Sequence, residues 1–240
     1  MRETVDVTFN FLTDTPPGQD PDSHSPTLRR YHRLLWSKTL PNGTPFSLDD
    51  RTPGAYLYHR STLGEFFLTS DTAIPDFHKE RSLTEVLKNL PDGEFQRFYE
   101  LTYTIGGMVL FPGKQINRKM TLNGARGLHP RIKDRFDLTV ECIRRYYGGK
   151  DSPLHETLAR YDAFFQLFGT FAGYVEHFLL QDLTTATFDR VAFFAPFQDF
   201  DTSAVPQNSE EYRAYCRAAS TFIEARNVRI RRDTSILLSN

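Results

Sequence analysis

The sequence predicts an α+β fold, a mixed strand-and-helix N-terminal half packed with a mainly helical C-terminal half. Three observations predict it. In the first half apolar and polar residues alternate at Val5, Val7, Phe9 and Phe11, the period of a strand with one buried face, and short β-rich runs follow at 55–59 and 65–69. In the second half Ile132, Phe136, Val140, Ile143 and Tyr147 fall on one narrow arc of a helical wheel, the period of an amphipathic helix. The 240 residues are 39% hydrophobic and 14% aromatic, with no repeat, low-complexity tract or linker, which predicts one domain spanning 1–240.

The elements follow in order. A strand is expected over 5–11, then a loop through Pro16, Pro17, Gly18 and Pro21. Ser25 caps a helix with Pro26 at its first position and an apolar face of Leu28, Tyr31 and Leu35. Pro41-Asn42-Gly43 turns the chain into two strands, 55–59 and 65–69, joined near Gly64. Ser82 and Glu85 have capping-box spacing, and Pro91-Asp92-Gly93 separates that helix from another over 94–103. Strands are expected at 108–111 and 120–122, the second ending in an Asn123-Gly124 turn. From Arg131 the chain reads as helices, one stopped by Gly148-Gly149, one opened by Ser152-Pro153 and running past Phe164, and a third split off at Gly169 and Gly173. A strand-like run at 190–194 precedes a last helix that begins at Ser209 and reaches Arg229.

Composition excludes several classes. A net charge of −1 gives no global pull toward nucleic acid or anionic membranes. Two cysteines, Cys142 and Cys216, form no disulfide framework. Residues 1–11 carry Arg2, Glu3 and Asp6 and lack an apolar signal core, and the most apolar stretch, 163–180, is interrupted by Gln166, Glu176 and His177. These features predict a soluble cytoplasmic protein.

Familiar motifs fail at specific positions. His155-Glu156 begins like a zincin helix, but Ala159 stands where the second histidine ligand belongs. Gly113-Lys114 is followed by Gln115 rather than a magnesium-holding Ser or Thr, and Met108 stands where the first P-loop glycine belongs. No metal site is expected, and no cofactor is specified.

The charge distribution says more than the total. Residues 114–145 hold nine Lys or Arg against three acids, netting +6, and residues 151–211 hold ten acids against two arginines, netting −8. The plain reading is that the two blocks pair inside the fold. The functional reading places an anionic ligand, a nucleotide or phosphate, at the 123–135 turn and helix. Asn123 would hydrogen-bond it, Arg126 and Arg131 would neutralise it through planar guanidinium forks, and Arg135 would support from the next turn. If the site is catalytic, His59 at a strand end or His129 is the acid–base candidate, against the plainer role of a histidine bonded within the fold. Asp134, Asp137 and Glu141 share a face at helical spacing and read as a solvated, self-paired surface rather than a metal cluster.

Trp36 beside Lys38 could stack on a base, although a lone tryptophan reads more simply as packing. The arginines at 226, 229, 231 and 232 read as a solvated tail that could meet nucleic acid. Two further functional classes therefore stand beside the anion pocket: a nucleic-acid-binding module using the basic block, and a non-enzymatic interaction or structural protein whose charge blocks meet between subunits.

Residues 57–62 loosely resemble the first motif strand of ADP-ribosyltransferases, with no second motif following. Residues 31–38 (Tyr-His-Arg-Leu-Leu-Trp-Ser-Lys), 123–127 (Asn-Gly-Ala-Arg-Gly) and 134–139 (Asp-Arg-Phe-Asp-Leu-Thr) resemble segments of an uncharacterised bacterial family of unknown function. That resemblance implies a bacterial or phage-related source and no activity.

Overall fold

The computed structural model describes residues 4–50, 56–75, 77, 83–88, 90–91 and 93–237. Its fold is α+β. Three antiparallel strands, β1 (Leu57–Ser61), β2 (Gly64–Thr72) and β3 (Met108–Pro112), pair in the order β1-β2-β3, with Leu57 opposite Leu68 and Leu68 opposite Pro112. Along β2 the side chains of Phe66, Leu68 and Ser70 are buried in alternation, as a strand with one covered face requires. β3 is buried along its whole length, because helices cover it on the side where no further described strand pairs.

Before the sheet come α1 (Pro21–His24) and α2 (Pro26–Trp36). The Ser25 hydroxyl accepts the Leu28 N–H at 3.0 Å and donates to Asp14 at 2.6 Å, so the predicted cap also anchors the preceding loop. Between β2 and β3 lie α3 (Thr84–Lys88) and α4 (Gln96–Thr102). The expected cap at Ser82 and the strand start at Ala55 lie outside the described residues. The C-terminal half is α5 (Leu122–Leu128), α6 (Phe136–Tyr147), α7 (His155–Arg160), α8 (Asp162–Gln166), α9 (Phe171–His177) and α10 (Ser209–Leu237).

Four expectations are corrected. Residues 5–10 form turns rather than a strand, leading into a 3-10 turn at Phe11–Thr13. The Asp6 carboxylate accepts both the N–H (2.9 Å) and the hydroxyl (2.7 Å) of Thr8, a local bond that competes with strand pairing. The alternation there reports burial of Val5, Val7 and Phe11 alone. The expected strand at 120–122 and its Asn-Gly turn are instead the start of α5, where Thr121 caps by accepting the Gly124 N–H at 3.2 Å. The helix expected from Arg131 begins at Phe136, since Lys133 and Asp134 take left-handed backbone angles (φ 49° and 63°). The run at 190–194 makes only one bridge, Val191 to Thr184.

The buried apolar side chains form one cluster, reaching from Val5 to Ile230. Its densest part is aromatic: Phe164, Phe168, Tyr174 and Phe178 meet edge-on or tilted, and Trp36 lies 5.4 Å from Phe178. Edge-to-face contacts of this kind add to the burial of the rings themselves. Among the described residues no helix is long and apolar enough to cross a membrane.

Candidate functional site

Arg126 projects from α5 into the protein and its side chain is 0% exposed. One terminal nitrogen meets Asp71 Oδ2 of β2 and Asp134 Oδ1 of the 130–135 turn, each at 2.7 Å. The other donates to the Asp134 carbonyl at 2.6 Å, and Nε donates to Thr139 Oγ1 of α6 at 3.2 Å. Arg135 is 1% exposed and grips Asp137 through Nε at 3.1 Å and a terminal nitrogen at 2.5 Å. Asp137 also accepts the Phe194 N–H at 2.9 Å. Guanidinium groups enclosed in this way present no free face to an outside anion, because leaving either carboxylate unpaired in the interior costs more than one ion pair returns.

The remaining predicted residues lie apart. Asn123 donates to the Ser70 carbonyl at 3.4 Å, while its own carbonyl oxygen is buried without a partner. Arg131 is on the surface and pairs with Asp201 at 3.3 Å. With His129 it edges a hollow of about 340 Å³, where Asp151, Asp199 and Asp201 balance the cations. Burial and Arg131 hold the His129 imidazole below its usual pKa. His59 is buried and committed on both sides: Nδ1 lies 2.7 Å from the Ser47 carbonyl oxygen and 3.3 Å from the Ser47 backbone nitrogen, Nε2 lies 2.9 Å from the Ser61 hydroxyl, and the ring stacks on Phe46 at 4.1 Å.

The face expected to be solvated is largely internal. Asp137 and Glu141 are buried, and Glu141 takes Arg144 at 2.8 Å and Arg145 at 2.9 Å. Asp134 lies outside the helix and pairs with Arg126 rather than Arg131. The C-terminal arginines are also corrected in part. Arg226 is 1% exposed and donates to the carbonyls of Gly106, Met108 and Phe178 at 2.7–3.1 Å, and Arg229 pairs with Asp182 at 2.7 Å.

The basic block thus divides. Arg126, Arg131, Arg135, Arg144 and Arg145 pair with carboxylates. Lys114, Arg118 and Lys119, in the loop after β3, are exposed and make no ion pair among the described residues. Asn117 and Arg118 take left-handed angles (φ 53° and 59°), folding this loop tightly. Beside it a groove of about 410 Å³ opens between the β2–β3 end and the α7–α8 junction. Phe66, Phe67, Ile116, Tyr161 and Phe164 line it, with Lys114 and Arg160 as its cations. Lys114 Nζ sits 4.3 Å from the Phe67 ring centre, and its carbonyl accepts the Tyr161 hydroxyl at 2.9 Å. Arg160 donates to the Met120 carbonyl at 2.9 Å and to Thr157 at 3.2 Å, but its Nε is buried without a partner. Among the described residues the one acid lining it, Glu65, is taken by Arg60 at 3.0 Å.

Sequence reasoning missed Arg160 because it lies inside the acidic block, where a lone arginine reads as already paired. It missed the phenylalanines because an apolar residue in a strand reads as core. Neither carries a local signal.

Fold and site define an α+β protein whose arginines tie the helical half to the sheet and whose open groove is edged by cations that make no ion pair among the described residues. The chain belongs to a family of unknown function, DUF6994, whose model matches residues 5–230. No curated protein and no solved structure is significantly similar to it.

Proposed function

We propose that this protein binds a small organic anion with a flat apolar body, of the nucleotide class, in the groove between the β2–β3 end and the α7–α8 junction. The observation that carries this reading is the pair Lys114 and Arg160, two cations without carboxylate partners among the described residues, on an aromatic-lined groove of about 410 Å³. That volume suits a small ligand, and such sites join apolar walls to a few polar groups that fix orientation. Lys114 and Arg160 neutralise the anion, and Phe67 and Tyr161 pack against its body. Arg118 and Lys119 strengthen the local positive field. The anion class expected from the basic block is retained, and its place moves from residues 123–135 to the loop before α5.

The reading is one of binding, since neither His59 nor His129 lines the groove. It sets the protein in the cytoplasm, where nucleotides are abundant and where the buried free thiols of Cys142 and Cys216 stay reduced. It treats the chain as one unit, supported by the continuity of its apolar core.

Thermal shift and calorimetry with purine nucleotides, inorganic phosphate and a single-stranded oligonucleotide test it. Nucleotide should raise the melting temperature, and Lys114→Ala and Arg160→Ala should each weaken binding about tenfold, the scale of one charge-assisted contact. No response to any nucleotide, or unchanged affinity in both variants, overturns the proposal. An oligonucleotide that binds far more tightly than the mononucleotide, with steep salt dependence, would instead make the groove part of a nucleic-acid surface.

A further inference from the structure

We propose that the ligand of the groove is an adenine nucleotide and that Gln115 reads its base. The inference rests on the nucleotide reading of that groove and deepens it. Lys114, Gln115 and Ile116 are consecutive and all three line the groove, so one stretch of chain runs along its wall. Gln115 is exposed there, and its amide makes no hydrogen bond among the described residues.

The segment is held in place before any ligand arrives. Ahead of Gln115, the Gly113 N–H donates to the Phe67 carbonyl at 2.8 Å and the Lys114 carbonyl accepts the Tyr161 hydroxyl at 2.9 Å. A Cβ at Gly113 would lie 2.7 Å from the Thr69 methyl carbon, so only glycine lets the loop lie this close to β2. Behind Gln115, Ile116 packs on the apolar core and its carbonyl accepts the Lys119 N–H at 3.0 Å. The Gln115 backbone is therefore fixed from both sides, which lowers the entropy lost when its side chain makes a bond.

The polar groups of the groove differ in what they can read. Lys114 and Arg160 only donate, and they neutralise the phosphate. The Glu65 carboxylate only accepts, and Arg60 holds it at 3.0 Å. The Tyr161 hydroxyl is engaged by the Lys114 carbonyl. Among the described lining residues, Gln115 alone offers a donor and an acceptor side by side with both unused. Adenine presents the complement, an exocyclic amine beside a ring-nitrogen acceptor, and a glutamine amide spans that pair with two parallel bonds. Guanine shows two acceptors on the same edge, which suit a cation. Its donors suit a carboxylate, and Arg60 already occupies the one that lines this groove.

Calorimetry with adenosine monophosphate, guanosine monophosphate, purine riboside monophosphate and ribose phosphate tests this. The purine riboside compound keeps the ring and the phosphate and lacks the exocyclic amine. Adenosine monophosphate should bind about tenfold tighter than it, and about tenfold tighter than guanosine monophosphate, the discrimination of one bidentate amide contact. Gln115→Leu should bring adenosine monophosphate down to the level of the purine riboside compound and leave ribose phosphate unchanged. Equal affinity for adenosine and purine riboside monophosphates in the wild type overturns Gln115 as the base reader, as does a Gln115→Leu variant that still discriminates, while the anion groove stands. Failure of every nucleotide and of ribose phosphate to bind removes the groove reading and this inference with it. The comparison of ligands on the wild type needs no variant, so it decides even if Gln115→Leu fails to fold.

Discussion

The indole N–H of Trp36 donates to Nδ1 of His32 at 2.9 Å, one turn apart on α2, and this bond decides what the histidine can do. With Nδ1 accepting, the ring proton sits on Nε2, which donates to Ser70 Oγ at 2.8 Å. The proton direction is the reverse of that in a nucleophilic serine–histidine pair: the histidine gives a hydrogen bond to the serine instead of taking its proton. Burial, with Arg226 and Arg29 nearby, lowers His32 to about 3, which keeps it neutral.

Trp36→Phe removes that donor and leaves His32 Nδ1 buried without a partner. The expected loss is about 2–4 kcal/mol, combining an unsatisfied buried acceptor with a partly emptied aromatic site. Urea unfolding at pH 7 measures it, and a loss below about 0.5 kcal/mol would show that the indole bond does not hold this network.

His177 offers a pH test with a definite sign. It is buried among Phe46, Phe168 and Phe178 with Nε2 unpartnered, and burial, then Lys38, lowers it to about 3. The folded imidazole is neutral where the unfolded one is charged, so its contribution to stability is lost as pH falls from about 6.5 toward 3. His177→Phe should stabilise by about 1 kcal/mol at pH 7, and its advantage should grow by up to about 1.4 kcal/mol per pH unit below 6.5. Denaturation midpoints of both proteins from pH 7 to pH 4 check this, and parallel curves would refute it.

Arg126→Met leaves Asp71 and Asp134 facing one another without a cation. The expected cost is about 3–5 kcal/mol at pH 7, the range for one partner removed from a buried pair. Adding Asp71→Asn and Asp134→Asn should recover more than half of it. A triple variant no more stable than Arg126→Met would place the effect in packing rather than charge.

Two glycines in short helices should respond oppositely to alanine. A Cβ at Gly173 would lie 2.2 Å from the Phe168 carbonyl, whereas at Gly127 the nearest atom is Asp134 Oδ1 at 3.9 Å. Gly173→Ala should destabilise by about 1–3 kcal/mol through overpacking. Gly127→Ala should stabilise by about 0.5–1 kcal/mol by restricting the unfolded chain. Melting temperatures that move in the same direction would contradict this account.

Much of the fold was legible. Ser25 before Pro26 marked α2, the turn at Gly64 joined β1 to β2, and Ser209 opened α10, because capping and turn chemistry act over three or four residues. The failures share a cause. Alternation at 5–11 encodes a buried face but cannot supply a neighbouring strand, and Asn123-Gly124 turns a chain only where Thr121 does not first cap a helix. The candidate site was legible in its charge and not in its place. The basic block correctly marked a surplus of cations, but Arg126 and Arg135 proved internal, and Arg160 joined the groove from a region reading as acidic.

By itself the sequence determined the α+β class, the starts of α2 and α10 and the turn that joins β1 to β2, and the existence of two opposed charge blocks. Only the tertiary structure decided which charges meet. Arg126 finds Asp71 from 55 positions away, while Lys114 and Arg160 find no carboxylate among the described residues. Periodicity fixes which residues share a face of one element. Coulomb energy depends on distance and burial, and both are set by how the elements pack.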